Sequence, residues 1–145
     1  MKNSAYIFLI FSFIVSLFFS KAFACSCREI TAKEMLTYEF NKYIFTGIVT
    51  SAKLMKHKGA YSYINVDVMV DERFKGLTDE KTFNVNTNLS ESSCGGPVSV
   101  GTPYLFVTDA RGFFTFCTSM SLSPSDLNQK ARVYIEGFRE LTKQK

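Results

Sequence analysis

Between positions 61 and 74 apolar side chains recur on alternate residues, Ile64, Val66, Val68 and Val70, with Asn65, Asp67 and Met69 between them. Successive side chains of a strand face opposite ways, so this alternation predicts a half-buried strand with one wet face, closed by Lys75-Gly76. The segment 43–55 is dense in β-branched and aromatic residues and reads as a long strand in which Gly47 marks a bulge. The polar run 56–60 turns the chain between the two. Shorter strands are predicted at 81–87, with Phe83 and Val85 inward, at 103–108, and at 113–118 beyond the turn Arg111-Gly112. Five strands in a meander predict a mainly β fold, a small closed barrel.

Two helical patterns flank the strands. Thr31-Ala32-Lys33-Glu34 reads as a capping box opening a short helix that ends near Asn41, with Leu36, Phe40 and Tyr43 at core-facing spacing. Ser123-Pro124-Ser125-Asp126 supplies an N-cap, a proline at the first helical position and an early acid. Leu127, Ala131, Tyr134, Phe138 and Leu141 then follow at the spacing of an amphipathic helix packed on the barrel. The connector 88–101 is long, rich in Ser and Gly, and carries Cys94.

The first 24 residues follow a different pattern. Lys2, an apolar run over 5–19 and the small-residue end Ala22-Phe23-Ala24 describe a signal peptide cleaved after Ala24. The run is shorter than the roughly 20 apolar residues of a spanning helix, and Lys21 follows it closely, so no stable membrane span is expected after cleavage. The remaining 121 residues, 25–145, suit one domain, expected to be monomeric and secreted or extracytoplasmic, periplasmic if the host is a bacterium. Lys2 and Lys21 are the only charged side chains of the leader, which leaves 15 basic against 13 acidic groups. So mild and interspersed a balance argues against nucleic acid as a partner.

All four cysteines, Cys25, Cys27, Cys94 and Cys117, lie beyond the leader. An even count in an exported chain predicts two disulfides, with three connectivities open. Cys25 and Cys27 are too close to suit each other, so each ties to Cys94 or Cys117. Closing such long loops stabilises by roughly 4 kcal/mol each in the chain-entropy model. Cleavage after Ala24 also makes Cys25 terminal, and an α-amine beside its own carbonyl oxygen can grip a metal ion as a chelate. Competing uses of the pair are a plain structural staple, lipid attachment at Cys25, and copper or thiol redox chemistry.

Enzymatic signatures are missing from the sequence. His57 is the single histidine and stands in a Lys-rich turn, where an exposed side chain is the ordinary outcome. Ser92 and Ser93 lack a Gly-x-Ser-x-Gly elbow, and neither a zinc-protease helix motif nor a phosphate loop occurs. The chain therefore reads as a non-enzyme with no cofactor of its own. Phe113-Phe114 and Tyr61 with Tyr63 read as core or cross-strand pairs, any exposed subset being available for binding. Asn88-Leu89-Ser90 is a glycosylation sequon, meaningful only in a eukaryotic secretory pathway.

Taken in order, a Cys25-Ser26-Cys27 start, Phe74-Lys75-Gly76, Glu91-Ser92-Ser93-Cys94-Gly95, and Cys117 followed by Leu127-Asn128-Gln129-Lys130 resemble the N-terminal domain of tissue inhibitors of metalloproteinases. The resemblance covers most of the chain beyond the leader. It implies an OB-like, netrin-like five-stranded barrel with Cys25 paired to Cys94 and Cys27 to Cys117. It also implies a partner, a zinc metalloproteinase, whose catalytic zinc is bound by the Cys25 α-amine and carbonyl. By the same resemblance Ser26 points into the specificity pocket, Cys27, Arg28 and Glu29 run along the cleft, and Ser92 and Ser93 fill the other side of the wedge. This chain departs from the family in having four cysteines rather than six in this domain, and Arg28-Glu29-Ile30-Thr31 where prolines usually stand. The alternative is a netrin-like extracytoplasmic module, lipid-anchored or not, that holds a protein or glycan on a barrel face.

Overall fold

A computed structural model describes residues 25–56, 62–89, 93–124 and 129–143. Residues 1–24, expected as a signal peptide, His57, Tyr61, Ser92, and the Asp126 and Leu127 expected to open the C-terminal helix lie outside the described residues. The elements run α1 (Ala32–Thr37), β1 (Tyr43–Met55), β2 (Tyr63–Lys75), β3 (Thr82–Asn88), β4 (Pro103–Thr108), β5 (Ser119–Ser121) and α2 (Gln129–Lys143). The strands form one antiparallel sheet in the order β3-β2-β1-β4-β5. An isolated parallel bridge joins Asn86 of β3 to Phe113, ahead of β5.

The sheet has core on both faces, because adjacent residues of β1 and β4 are buried in opposite directions. Ile44, Leu105 and Val107 pack with Phe74 against Met35 of α1 and Tyr134, Ile135 and Phe138 of α2. Phe45, Tyr104 and Phe106 pack on the other side with Val66, Val68, Val85 and Phe114. Phe45 opposes Phe106 in register, with ring centroids 5.4 Å apart. β2 follows its expected alternation: Val66 and Val68 are fully buried while Met69 is exposed. Gly47 sits at a register shift between β1 and β2, where a Cβ would collide with the Met69 carbonyl and the Val68 side chain. Only glycine lets the backbones approach this closely.

Two expectations need correction. The first helix stops at Thr37 instead of reaching Asn41, since Tyr38 turns to an extended conformation at φ −63° and ψ 125°. β-Branched and aromatic residues at 37, 38 and 40 propagate a helix poorly. The freed carbonyls are taken by side chains: Asn41 donates to the Met35 carbonyl at 2.9 Å, and Lys75 Nζ donates to Leu36 and Tyr38. Phe40, expected in the core, is 70% exposed, and Tyr43 belongs to β1.

The fifth strand is Ser119–Ser121, not 113–118. Apart from the Phe113 bridge, that segment is a turn, in which the Thr118 and Ser119 N–H groups both donate to the Thr115 carbonyl at 3.0 Å. The Thr115 N–H is taken by the Thr118 hydroxyl at 2.9 Å. Among the described residues no helix is long and apolar enough to cross a membrane.

Candidate functional site

Residues 25–31 form neither strand nor helix and are fastened at several points. Cys25 is bridged to Cys94 with Cα atoms 5.7 Å apart, and Cys27 to Cys117 at 5.4 Å, both within the ordinary disulfide range. The third point is the capping box. The Thr31 hydroxyl accepts from the Glu34 N–H at 3.2 Å while the Glu34 carboxylate accepts from the Thr31 N–H at 2.7 Å. That backbone bond from Thr31, helped by the Thr31 hydroxyl, holds the Glu34 carboxyl below its usual range.

The two receiving segments are themselves joined, since the Phe116 N–H donates to the Cys94 carbonyl at 3.2 Å. Cys94 has φ 60°, left-handed backbone that a non-glycine residue seldom adopts and that surrounding structure must hold in place. The glycines after it are buried. A Cβ on Gly96 would meet the Phe114 ring and the Ser119 hydroxyl, and its N–H donates to the buried Thr87 hydroxyl at 2.7 Å. The loop carrying Cys94 is thereby pressed onto the sheet, and the disulfides transmit its position to the N-terminal segment.

The outcome is an exposed ridge. Cys25 is half-buried, and Ser26, Cys27, Arg28 and Glu29 are exposed, as is Ser93 beside Cys94. Asn88 donates its side-chain N–H to the Ser93 carbonyl, tying the loop to the end of β3. Ser26, Cys27 and Arg28 edge a cleft of about 220 Å³ floored by Met35 and Tyr134. Tyr134 Oη donates to the Ile30 carbonyl at 2.7 Å, and Lys130 pairs with Glu29 at 3.3 Å, so α2 supports the rear of the segment. Of the expected site residues the structure brings Cys25, Ser26, Cys27 and Arg28 onto one ridge with Ser93 next to it. Ser92 falls outside the described residues.

No protein-family model and no curated protein matches this chain.

A second concavity, of about 550 Å³, adjoins that cleft through Asn41 and Thr118. Its rings are Phe40, Tyr63 and Phe113, and its charged groups are Asp109 and Arg111. Asp109 Oδ1 accepts the N–H groups of Arg111 and Phe113, both at 2.8 Å. The Arg111 guanidinium pairs with Asp109 at 3.2 Å and lies 5.6 Å from the Phe113 centroid. The helical spacing of Phe40 with Leu36 and Tyr43 points to the core, whereas Phe40 is 70% exposed at this groove. The available signal was an aromatic residue just beyond a run of poor helix formers.

Proposed function

We propose that this protein is a secreted inhibitor of zinc metalloendopeptidases, with Cys25, once exposed by removal of residues 1–24, as the group that binds the target's catalytic zinc. The observation that carries the reading is the doubly stapled Cys25-Ser26-Cys27 ridge, with Cys25 half-buried and Ser26 and Cys27 exposed. A catalytic zinc keeps one position open for water. The Cys25 α-amine and carbonyl oxygen would occupy that position and displace the water the protease needs. The amine ligates only in its neutral form, and a reference pKa of roughly 7.7–8 makes that form available near neutral pH.

Ser26 would then enter the pocket beside the scissile site, with Arg28 and Glu29 running along the cleft and Ser92 and Ser93 on the opposite flank. Two crosslinks leave little ordering entropy to be lost on binding, so modest contacts yield useful affinity. Secretion agrees with the two disulfides, which persist in oxidising compartments. In this reading the sheet curls into an OB-like, netrin-like barrel, supported by the parallel bridge from Asn86 of the edge strand β3 to Phe113.

The test begins with the terminus: mass and N-terminal sequencing of the exported protein should show Cys25 first and unmodified. That form should inhibit members of a zinc-endopeptidase panel, and a variant with one alanine placed before Cys25 should fold identically and lose inhibition. A lipid adduct, cleavage elsewhere, or equal inhibition by the extended variant would sink the mechanism.

A further inference from the structure

We propose that the groove lined by Phe40, Tyr63 and Phe113 is a binding site for a neutral oligosaccharide, separate in its chemistry from the zinc-directed ridge. The reasoning starts with exposure. Phe40 is 70% exposed, with Tyr38 as its ring neighbour at 5.4 Å, and contributes nothing to either core cluster. Tyr63 and Phe113, which line the same groove, are half-buried, with centroids 6.0 Å apart and planes inclined at 52°. Aromatic faces lining a cleft stack against the apolar C–H face of a pyranose ring, burying area at small entropic cost. The volume, about 550 Å³, falls within the roughly 300–1,000 Å³ typical of small-molecule sites.

The polar groups of the groove fit hydroxyls better than ions. Its two charged residues, Asp109 and Arg111, neutralise each other at 3.2 Å, so the groove offers no net charge to a sulfated glycan, a nucleic acid or an anionic lipid. Around them stand carboxamides already oriented by backbone carbonyls: Asn41 on Met35, Asn88 on Ser93, and Asn86, beside the groove, on Arg111 at 3.4 Å. A carboxamide has two N–H donors and an oxygen with two lone pairs. Asn41 and Asn88, which line the groove, each so fixed by one N–H, carry a second N–H and a carboxamide oxygen in one plane, the pattern that two neighbouring hydroxyls on a sugar satisfy together. Asn86 is in turn braced by Asn65 at 2.8 Å, and Asn65 exchanges bonds with Asn84, which donates to Asp67 at 2.8 Å. The hydrogen-bonding edge is thus set before a ligand arrives, which lowers the ordering cost of binding.

The experiment is a ¹⁵N–¹H NMR titration of the purified protein with three neutral probes at millimolar concentration: the β-1,4-linked N-acetylglucosamine tetramer, cellotetraose and maltotetraose. At least one should shift the amides of Tyr63, Asn88, Arg111 and Phe113 and leave Ser26 and Arg28 unmoved. Phe40→Ala should weaken that binding about tenfold, the loss of one stacking face, with the rest of the spectrum unchanged. Arg111→Ala, at a side chain 81% exposed, should weaken it too and serves as the second variant should Phe40→Ala perturb folding. Silence from all three probes, shifts on another face, unaltered affinity in both variants, or preference for a heparin tetrasaccharide would overturn the proposal. Placing an alanine before Cys25 should not alter these shifts, so the groove and the inhibitory ridge fail independently.

Discussion

Asp67 shows how a single side chain organises the wet face of the sheet. Ser51 Oγ donates to one carboxylate oxygen and Asn84 Nδ2 to the other, and these bonds, Ser51 first, hold the Asp67 carboxyl below its usual range. A depressed folded pKa means that the stabilisation is present above the unfolded value near 3.9 and is lost as pH falls through the folded one. Ser51→Ala should therefore raise the Asp67 midpoint in a carboxyl-detected NMR titration, while Ser51→Thr, which keeps the hydroxyl, should leave it low. An unchanged midpoint in the alanine variant would assign the shift to Asn84 alone. The sequence marks Asn65 and Asp67 as outward residues, but alternation says nothing of their partners. Those partners come from register, which sets Asp67 against Ser51 and Asn84, and Asn65 against Asn86.

At the level of elements, α2 is held chiefly by its apolar stripe. Phe138 is fully buried with its ring 5.2 Å from that of Phe74, whereas the Arg139–Glu72 pair at 2.6 Å is partly exposed. Phe138→Ala should cost about 3–5 kcal/mol in urea unfolding, and Arg139→Ala no more than about 1 kcal/mol. A larger loss from Arg139→Ala would reverse that ranking. The apolar stripe is legible in the sequence, because Ala131, Tyr134 and Phe138 recur at helical spacing, and all three are buried; the Arg139–Glu72 pair is not, since its partners stand 67 residues apart. The strands β1, β2 and β4 were equally legible, since long β-branched or alternating runs leave few alternatives. The strand expected at 113–118 beyond the Arg111-Gly112 turn fails for a physical reason: Phe114 is buried, but the chain then turns through Thr115 to Thr118 to bring Cys117 to Cys27. A tether between distant residues leaves no trace in local periodicity. The ridge residues could be named from the Cys-x-Cys pattern, while the groove could not, because its lining comes from four separate stretches of chain.

For the molecule as a whole, the disulfides decide whether the N-terminal segment belongs to the fold. Bridges spanning 69 and 90 residues restrict the unfolded chain strongly, each by roughly 4 kcal/mol in the chain-entropy account. The double variant Cys27→Ser, Cys117→Ser should lower the unfolding free energy by about that amount yet keep the far-ultraviolet spectrum, since the sheet and α2 make their own cores. Loss of the sheet signal in this variant would show that the bridge is needed for the β fold itself. The joint between the Cys94 loop and the 115–118 turn bears on assembly over time as well. A chain made from its N-terminus presents Cys25 and Cys27 together long before either partner, and Cys94 before Cys117. A bridge closed in that interval joins Cys94 to one of two thiols two residues apart, and only one choice is native. Correcting the other requires thiol exchange, so the yield of active protein is set by the cell's disulfide-shuffling capacity as much as by the stability of the finished sheet.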